Sequence, residues 1–102
     1  MDFTSRIENR TATIGLDGRF TFEAHPGFKA CTREALDVQD LERIILDMER
    51  VTYLDASSLG MILLLREAAE ARQVAIVLHR PSPPVLNLLE VVKFERLFQI
   101  TR

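Results

Sequence analysis

Three features of the chain predict an α/β domain, a mixed β-sheet with α-helices packed against it. The first residues alternate apolar and polar with a period of two. Further on, short β-rich runs such as Val74-Ala75-Ile76-Val77-Leu78 take turns with longer segments of helical period. Gly, Pro, Asn, Asp and Ser stand at the junctions, where turns and helix caps need them. Strand–helix–strand alternation predicts mostly parallel pairing in the later sheet, with the helices lying on it. At 102 residues and 47% hydrophobic content, there is material for one core and not two, so residues 1–102 read as a single domain.

Taken in order, Phe3–Glu8 and Thr11–Leu16 alternate like half-buried strands about the polar pair Asn9-Arg10, an opening hairpin. Asp17-Gly18 reads as a turn pair. Arg19–Ala24 follows, in which Phe20 and Phe22 flank Thr21; one ring is expected to face the core and the other to add exposed aromatic area. His25-Pro26 opens a first helix that carries Phe28, Cys31, Ala35 and Leu36 on one face. Leu41–Met48 holds the unbroken run Ile44-Ile45-Leu46, the pattern of a central strand covered on both faces.

Val51-Thr52-Tyr53-Leu54 then leads to a corner at Asp55, and a second helix is expected from about Ser57 to Arg72. Its period turns Leu59, Ile62, Leu63, Leu65 and Ala69 inward and Arg66, Glu67 and Glu70 outward. Arg66 and Glu70 are spaced for an i,i+4 ion pair. Val74–Leu78 is a further buried strand. Ser82-Pro83 supplies a cap and first position for a third helix presenting Val85, Leu88, Leu89 and Val92. Phe98-Gln99-Ile100 closes the chain as a short edge strand, giving the order β-β-α-β-α-β-α-β.

Charge and cysteine content narrow the function. A net charge of −2 from 13 basic and 15 acidic residues provides no broad cationic face, which argues against nucleic acid as a partner. Cys31 is the only cysteine, so an internal disulfide is impossible, zinc ligation lacks raw material, and a cytoplasmic protein is expected. The first residues carry Asp2, Arg6, Glu8 and Arg10 in place of an apolar signal core. No apolar run is longer than Met61–Leu65, which falls far short of the roughly 20 residues of a membrane span, so no direct membrane insertion is expected.

The chemistry concentrates at Tyr53-Leu54-Asp55-Ala56-Ser57-Ser58-Leu59-Gly60, where a strand hands over to a helix through a small, polar bend. Backbone N–H groups at a helix start lack intrahelical partners, so a serine there either caps the helix, worth roughly 1 kcal/mol, or once phosphorylated holds its phosphate against them. Asp55 either caps the helix or touches a partner. Gly60 reads as a position of close packing between helix start and neighbouring strand. Cys31 reads as a small buried hydrophobe, and His25 and His79 as solvated or capping groups. Asp55 beside Ser57 and Ser58 is only a fragment of catalytic machinery, with no histidine near it in sequence. The chain therefore reads as a non-enzyme with no catalytic residue, metal or cofactor.

The strand Ile44–Met48, the corner Val51–Asp55, the small residues ending in Leu59-Gly60, the aliphatic helix behind them and the closing Phe94–Ile100 together resemble a STAS domain of the bacterial anti-sigma factor antagonist type. The resemblance spans essentially the whole chain. It implies a partner-switching protein that binds an anti-sigma factor or serine kinase of the histidine-kinase-like ATPase superfamily. Phosphorylation by that kinase would break the complex, and a serine phosphatase would restore it. The docking residues it implies are Asp55, Ala56, Ser57, Ser58, Leu59 and Gly60, joined by Arg19, Thr21 and Phe22 from the preceding loop.

The resemblance departs from the family where phosphate is usually carried. The residue directly after the motif aspartate is Ala56, which has no hydroxyl; Ser57 follows, Ser58 stands where glycine or alanine is common, and Thr21 stands where an aspartate is often found. Two explanations follow: phosphorylation has moved to Ser57, or the domain binds constitutively. An alternative of another class is a small STAS subunit of an ABC-type lipid transporter that grips its ATPase subunit permanently. Small-ligand sensing at the helix start is a third reading, without a distinctive motif.

Overall fold

The computed structural model describes residues 1–102. Five strands form one sheet in the order β1-β2-β3-β4-β5: β1 Asp2–Glu8, β2 Thr11–Phe20, β3 Arg43–Leu54, β4 Ala75–His79 and β5 Gln99–Thr101. β1 runs antiparallel to β2, and every other pairing is parallel. The helices α1 His25–Leu36, α2 Ala56–Glu70 and α3 Pro83–Val91 are the three crossovers. The expected element order and mixed sheet are what the chain forms.

Sequential strands sit side by side, so each crossover steps in the same direction. With one handedness, all three helices must then lie on one face of the sheet. The burial pattern agrees. Ile14, Leu46 and Leu78, which are paired across β2, β3 and β4, are fully buried beneath the helices with Phe20, Ile44, Met48, Ile62 and Leu89. Their alternates on the opposite face include Thr13, Asp47 and His79, none of them buried. This corrects the reading of Ile44-Ile45-Leu46 as a strand covered twice over: β3 alternates, and Ile45 is only half-buried on the helix-free face.

Asn9 and Arg10 both take positive φ, 49° and 61°, the pair of left-handed residues that a two-residue hairpin turn matched to strand twist requires. Asp17-Gly18 is not a turn. β2 runs through it to Phe20, and the irregularity expected there is absorbed as register shifts against β3, with Gly18 at φ +112°. After Phe20 the chain leaves the sheet in a 3-10 turn, Phe22–Ala24, that feeds α1 directly. Likewise Arg43–Leu54 is one strand of twelve residues where the sequence suggested two runs.

α2 starts one residue earlier than expected and ends at Glu70. Ile62, Leu65 and Ala69 face inward as expected, but Leu63 is 37% exposed and Met61 takes its place in the core. Five consecutive apolar residues cannot all lie on one face of a 3.6-residue helix, and here Leu63 and Leu64 are the ones left outside. Arg66 and Glu70 do pair, at 2.9 Å. In α3, Val85 and Leu89 are buried and Leu88 packs at the core edge, while Val92 lies just past the helix and is 39% exposed. Ser82 holds the cap position, but its hydroxyl points at the Val51 carbonyl, 3.5 Å away, instead of at its own helix.

Candidate partner-docking surface

β3 ends at Leu54 and α2 begins at Ala56, so a single residue, Asp55, turns strand into helix. Its backbone is extended (φ −108°, ψ 178°), as a helix cap requires. One carboxylate oxygen accepts the Ser58 backbone N–H at 2.8 Å. The Ser58 hydroxyl accepts the Asp55 N–H at 3.1 Å and donates to the Asp55 carbonyl at 2.7 Å. This is a reciprocal capping box with aspartate and serine in the two roles. The second carboxylate oxygen accepts the Phe22 backbone N–H at 3.1 Å. Asp55 therefore holds the start of α2 and the turn after β2 with one group.

That geometry divides the corner into an inner and an outer part. Ser58 is fully buried and its hydroxyl is engaged at both ends, so it faces the domain interior and not a partner. Ala56 and Ser57 are exposed, and Ser57 makes no hydrogen bond through its hydroxyl. Leu59 is half-buried against the core. Gly60 is half-buried, and a Cβ built there would meet nothing within 4 Å, which corrects the expectation that this glycine serves close packing against a strand.

The loop side of the surface is built by register. Arg19 in β2 pairs with Tyr53 in β3, and the guanidinium lies 4.3 Å from the Tyr53 ring centroid, a cation–π contact that holds both exposed side chains in place. Phe20 points into the core, fully buried, and Phe22 points out, 65% exposed. Thr21 is half-buried; its carbonyl accepts the Ala24 N–H at 2.9 Å, and its side chain caps nothing. Arg19, Phe22, Tyr53, Ala56 and Ser57 are thus brought to one end of the sheet. Tyr53 is the residue that the sequence reading placed in a strand without recognising as part of this surface.

Electrostatically, the bend joins the positive end of α2 to a carboxylate already seated on it. The Ala56 and Ser57 N–H groups have no acceptor within the chain. A phosphate on Ser57 would meet those donors but would also stand two residues from the Asp55 carboxylate. Both oxygens of that carboxylate are taken by backbone donors, so it is not poised to deprotonate Ser57. His79 bonds Thr101 at 2.6 Å between β4 and β5, and His25 is exposed at the start of α1. Cys31 is half-buried at the core edge and not fully inside as expected, Thr32 taking the buried place on α1; this burial, followed by the nearby Glu34 charge, pushes its thiol above its ordinary value, away from the reactive thiolate. No group of three or more His, Cys, Asp or Glu side chains converges, and no helix is long and apolar enough to cross a membrane.

Residues 3–100 match the protein family described as Mlab, STAS domain. A STAS-domain containing protein of Pseudomonas aeruginosa (strain UCBPP-PA14) is 40% identical over 95 residues, covering 92% of this chain and 91% of the relative. A crystal structure of a putative anti-sigma factor antagonist from Thermotoga maritima superposes with a TM-score of 0.87 at 20% identity, over 98% of this chain and 86% of that one. The anti-sigma factor antagonist SpoIIAA in its unphosphorylated form gives 0.76 at 24% identity, over 99% and 87%. The STAS domain of a SulP transporter from Vibrio cholerae gives 0.79 at 14% identity, over 95% and 77%. At these identities the structures share a fold with this chain, and that fold serves both antagonists and transporter domains.

Proposed function

This chain belongs to the STAS-domain family, and from that footing we propose that it acts as an anti-sigma factor antagonist in a partner-switching pathway, its activity being binding and not catalysis. Its partner is an anti-sigma factor or serine kinase of the histidine-kinase-like ATPase superfamily, received on the surface formed by Arg19, Phe22, Asp55, Ala56 and Ser57. The observation that carries this reading is the split at the corner: Ser58 is locked inside the capping box while Ser57 offers an unbonded hydroxyl to solvent. SpoIIAA, which shares the fold, exists in unphosphorylated and phosphorylated forms. Ala56 removes the hydroxyl at the usual acceptor position, and Ser57 is the neighbouring residue a kinase can reach.

The test is to incubate wild type, Ser57→Ala and Ser58→Ala with a candidate kinase and ATP, and to locate phosphate by mass spectrometry. Phosphate is expected on Ser57 in wild type and Ser58→Ala, and on neither serine in Ser57→Ala. Ser57→Asp is expected to weaken the complex by roughly tenfold or more while circular dichroism and melting stay near wild type, since the added charge faces outward. Phosphate confined to Ser58, or unchanged affinity of Ser57→Asp, would overturn the switch.

Gly60 offers a separate test. Nothing in the chain fills the space beside it, and glycine inside a helix costs about 1 kcal/mol against alanine. Gly60→Ala is therefore expected to stabilise the free domain by roughly 0.5–1 kcal/mol, measured by urea unfolding, and to weaken partner binding if that space admits the partner's main chain. The second reading, a permanently bound ATPase subunit partner in an ABC-type lipid transporter, draws on Ala56 and on the fold shared with a transporter STAS domain. Absence of phosphate on both serines, with a complex that survives Ser57→Asp, would favour it.

A further inference from the structure

One helical turn beyond the corner, α1 and α2 lie side by side and leave a groove of about 340 Å³ between them. Its floor is apolar: Phe28 and Leu36 from α1 and Met61 and Leu65 from α2 are all buried. Leu64, 61% exposed, stands on the α2 lip with nothing of this chain over it. The α1 lip is different in kind. Lys29 and Arg33, four residues apart and both exposed, carry positive charge, and His25 one turn earlier continues the line, a row about 12 Å long at 1.5 Å per residue.

That row gives the groove a local positive charge in a chain of net charge −2. No carboxylate lines the groove, and neither Lys29 nor Arg33 joins any of the ion pairs of the structure. Like charges four residues apart on a helix oppose its formation by a few tenths of a kcal/mol; Arg33, in the last turn of α1, recovers a comparable amount from the helix dipole, whereas Lys29 has no such return. An anionic partner laid along α1 would reverse the sign of that term. The groove's length, two helical turns, and its apolar floor fit the face of a short helix that projects apolar side chains at i, i+3 or i+4, and i+7.

The geometry points to a second docking site, specific for an acidic amphipathic helix of another protein: apolar anchors enter between Leu64 and Phe28, and carboxylates on the helix flank meet Lys29 and Arg33. The groove begins at Met61, one helical turn beyond Ser57, and its recognition rests on Lys29, Arg33 and Leu64 and not on a charge at Ser57. Recognition by this groove is salt-sensitive at its lip and hydrophobic at its floor, so affinity falls with ionic strength without vanishing.

The experiment is selection of a phage-displayed peptide library on the full chain, followed by synthesis of the enriched peptides and mapping on ¹⁵N-labelled protein by NMR. The expected peptides are acidic and carry apolar residues at helical spacing, with amide shifts concentrated at Lys29, Thr32, Arg33, Leu64 and Ala68. Lys29→Glu combined with Arg33→Glu is expected to weaken them by roughly tenfold or more, and peptides with lysine in place of glutamate should regain affinity for that double variant. Leu64→Glu is expected to abolish binding. All three positions are exposed, so the variants should melt near wild type. Ser57→Asp is expected to leave peptide binding unchanged, which separates this site from the proposed switch. Failure to enrich peptides above the Leu64→Glu background, enrichment of neutral or basic sequences, shifts mapping elsewhere, or concentration-dependent self-association through the groove would each overturn the proposal.

Discussion

Replacement of Phe20 by alanine is expected to remove about 3–5 kcal/mol of stability, the range for emptying a buried aromatic site. The ring is fully buried at the end of β2 and lies 5.0 Å, centroid to centroid, from Phe28 of α1. The loss includes the transfer energy of the ring, the cavity left behind and the aromatic contact itself. It falls on a domain whose total stability is of order 5–15 kcal/mol, so a melting temperature lower by roughly 15 °C or more is anticipated. Urea unfolding should show a lower midpoint with an unchanged slope. Phe20→Leu, which keeps much of the volume, should lose about half as much or less. A loss below about 1 kcal/mol for the alanine variant would mean that this end of the sheet is not sealed as described. The consequence would reach the docking surface, because the Phe20 carbonyl accepts the Asp55 N–H at 3.3 Å and Phe22 follows two residues later.

Asp55→Ala is expected to cost about 2–3 kcal/mol, more than loss of an ordinary helix cap. The excess arises because the carboxylate serves two elements: removing it frees the Ser58 N–H at the helix start and the Phe22 N–H in the turn. Asp55→Asn separates the two roles. Asparagine is as good a cap as aspartate, but it has one acceptor oxygen, so it can retain the bond to Ser58 and lose the one to Phe22. The asparagine variant should therefore melt between wild type and alanine. Amide exchange should distinguish them further: the Phe22 amide loses protection in both variants, the Ser58 amide mainly in alanine. Equal protection of Phe22 in all three proteins would refute the double role.

The sequence revealed most where a residue's local chemistry and its tertiary role coincide. The order of strands and helices, the hairpin at Asn9-Arg10 and the Arg66–Glu70 pair follow from periodicity and spacing, and the structure bears them out. Which of Phe20 and Phe22 turns outward does not follow, because residues two apart in a strand share a face and the two rings part only where the chain leaves the sheet after Phe20. The misread segments are those where tertiary geometry decides. Asp17-Gly18 has turn chemistry, but pairing with β3 holds it in the sheet as an irregularity. Ile44-Ile45-Leu46 reads as doubly covered because an apolar run carries no information about which neighbours lie above and below it. Leu63 fell outside because Met61 competed successfully for the core, a choice among equally apolar residues that only packing resolves. At the corner, sequence placed Asp55, Ser57 and Ser58 together but could not tell which hydroxyl turns inward. The burial of Ser58 settles that, while the pairing of Tyr53 with Arg19 depends on a strand register that no local pattern encodes.

Because all the helices crowd one side of the sheet, the other side is bare, and only its far end, where Arg19 and Tyr53 alternate with the buried Phe20 and Leu54, belongs to the docking surface. The far side, with Thr4, Arg6, Thr13 and Asp47 presented to water, is a place to attach a dye, a tether or a bead without touching either the bend or the basic groove. Surface immobilisation through a cysteine introduced at Arg6, with Cys31 replaced by alanine, would leave the opposite side free to meet its targets in solution.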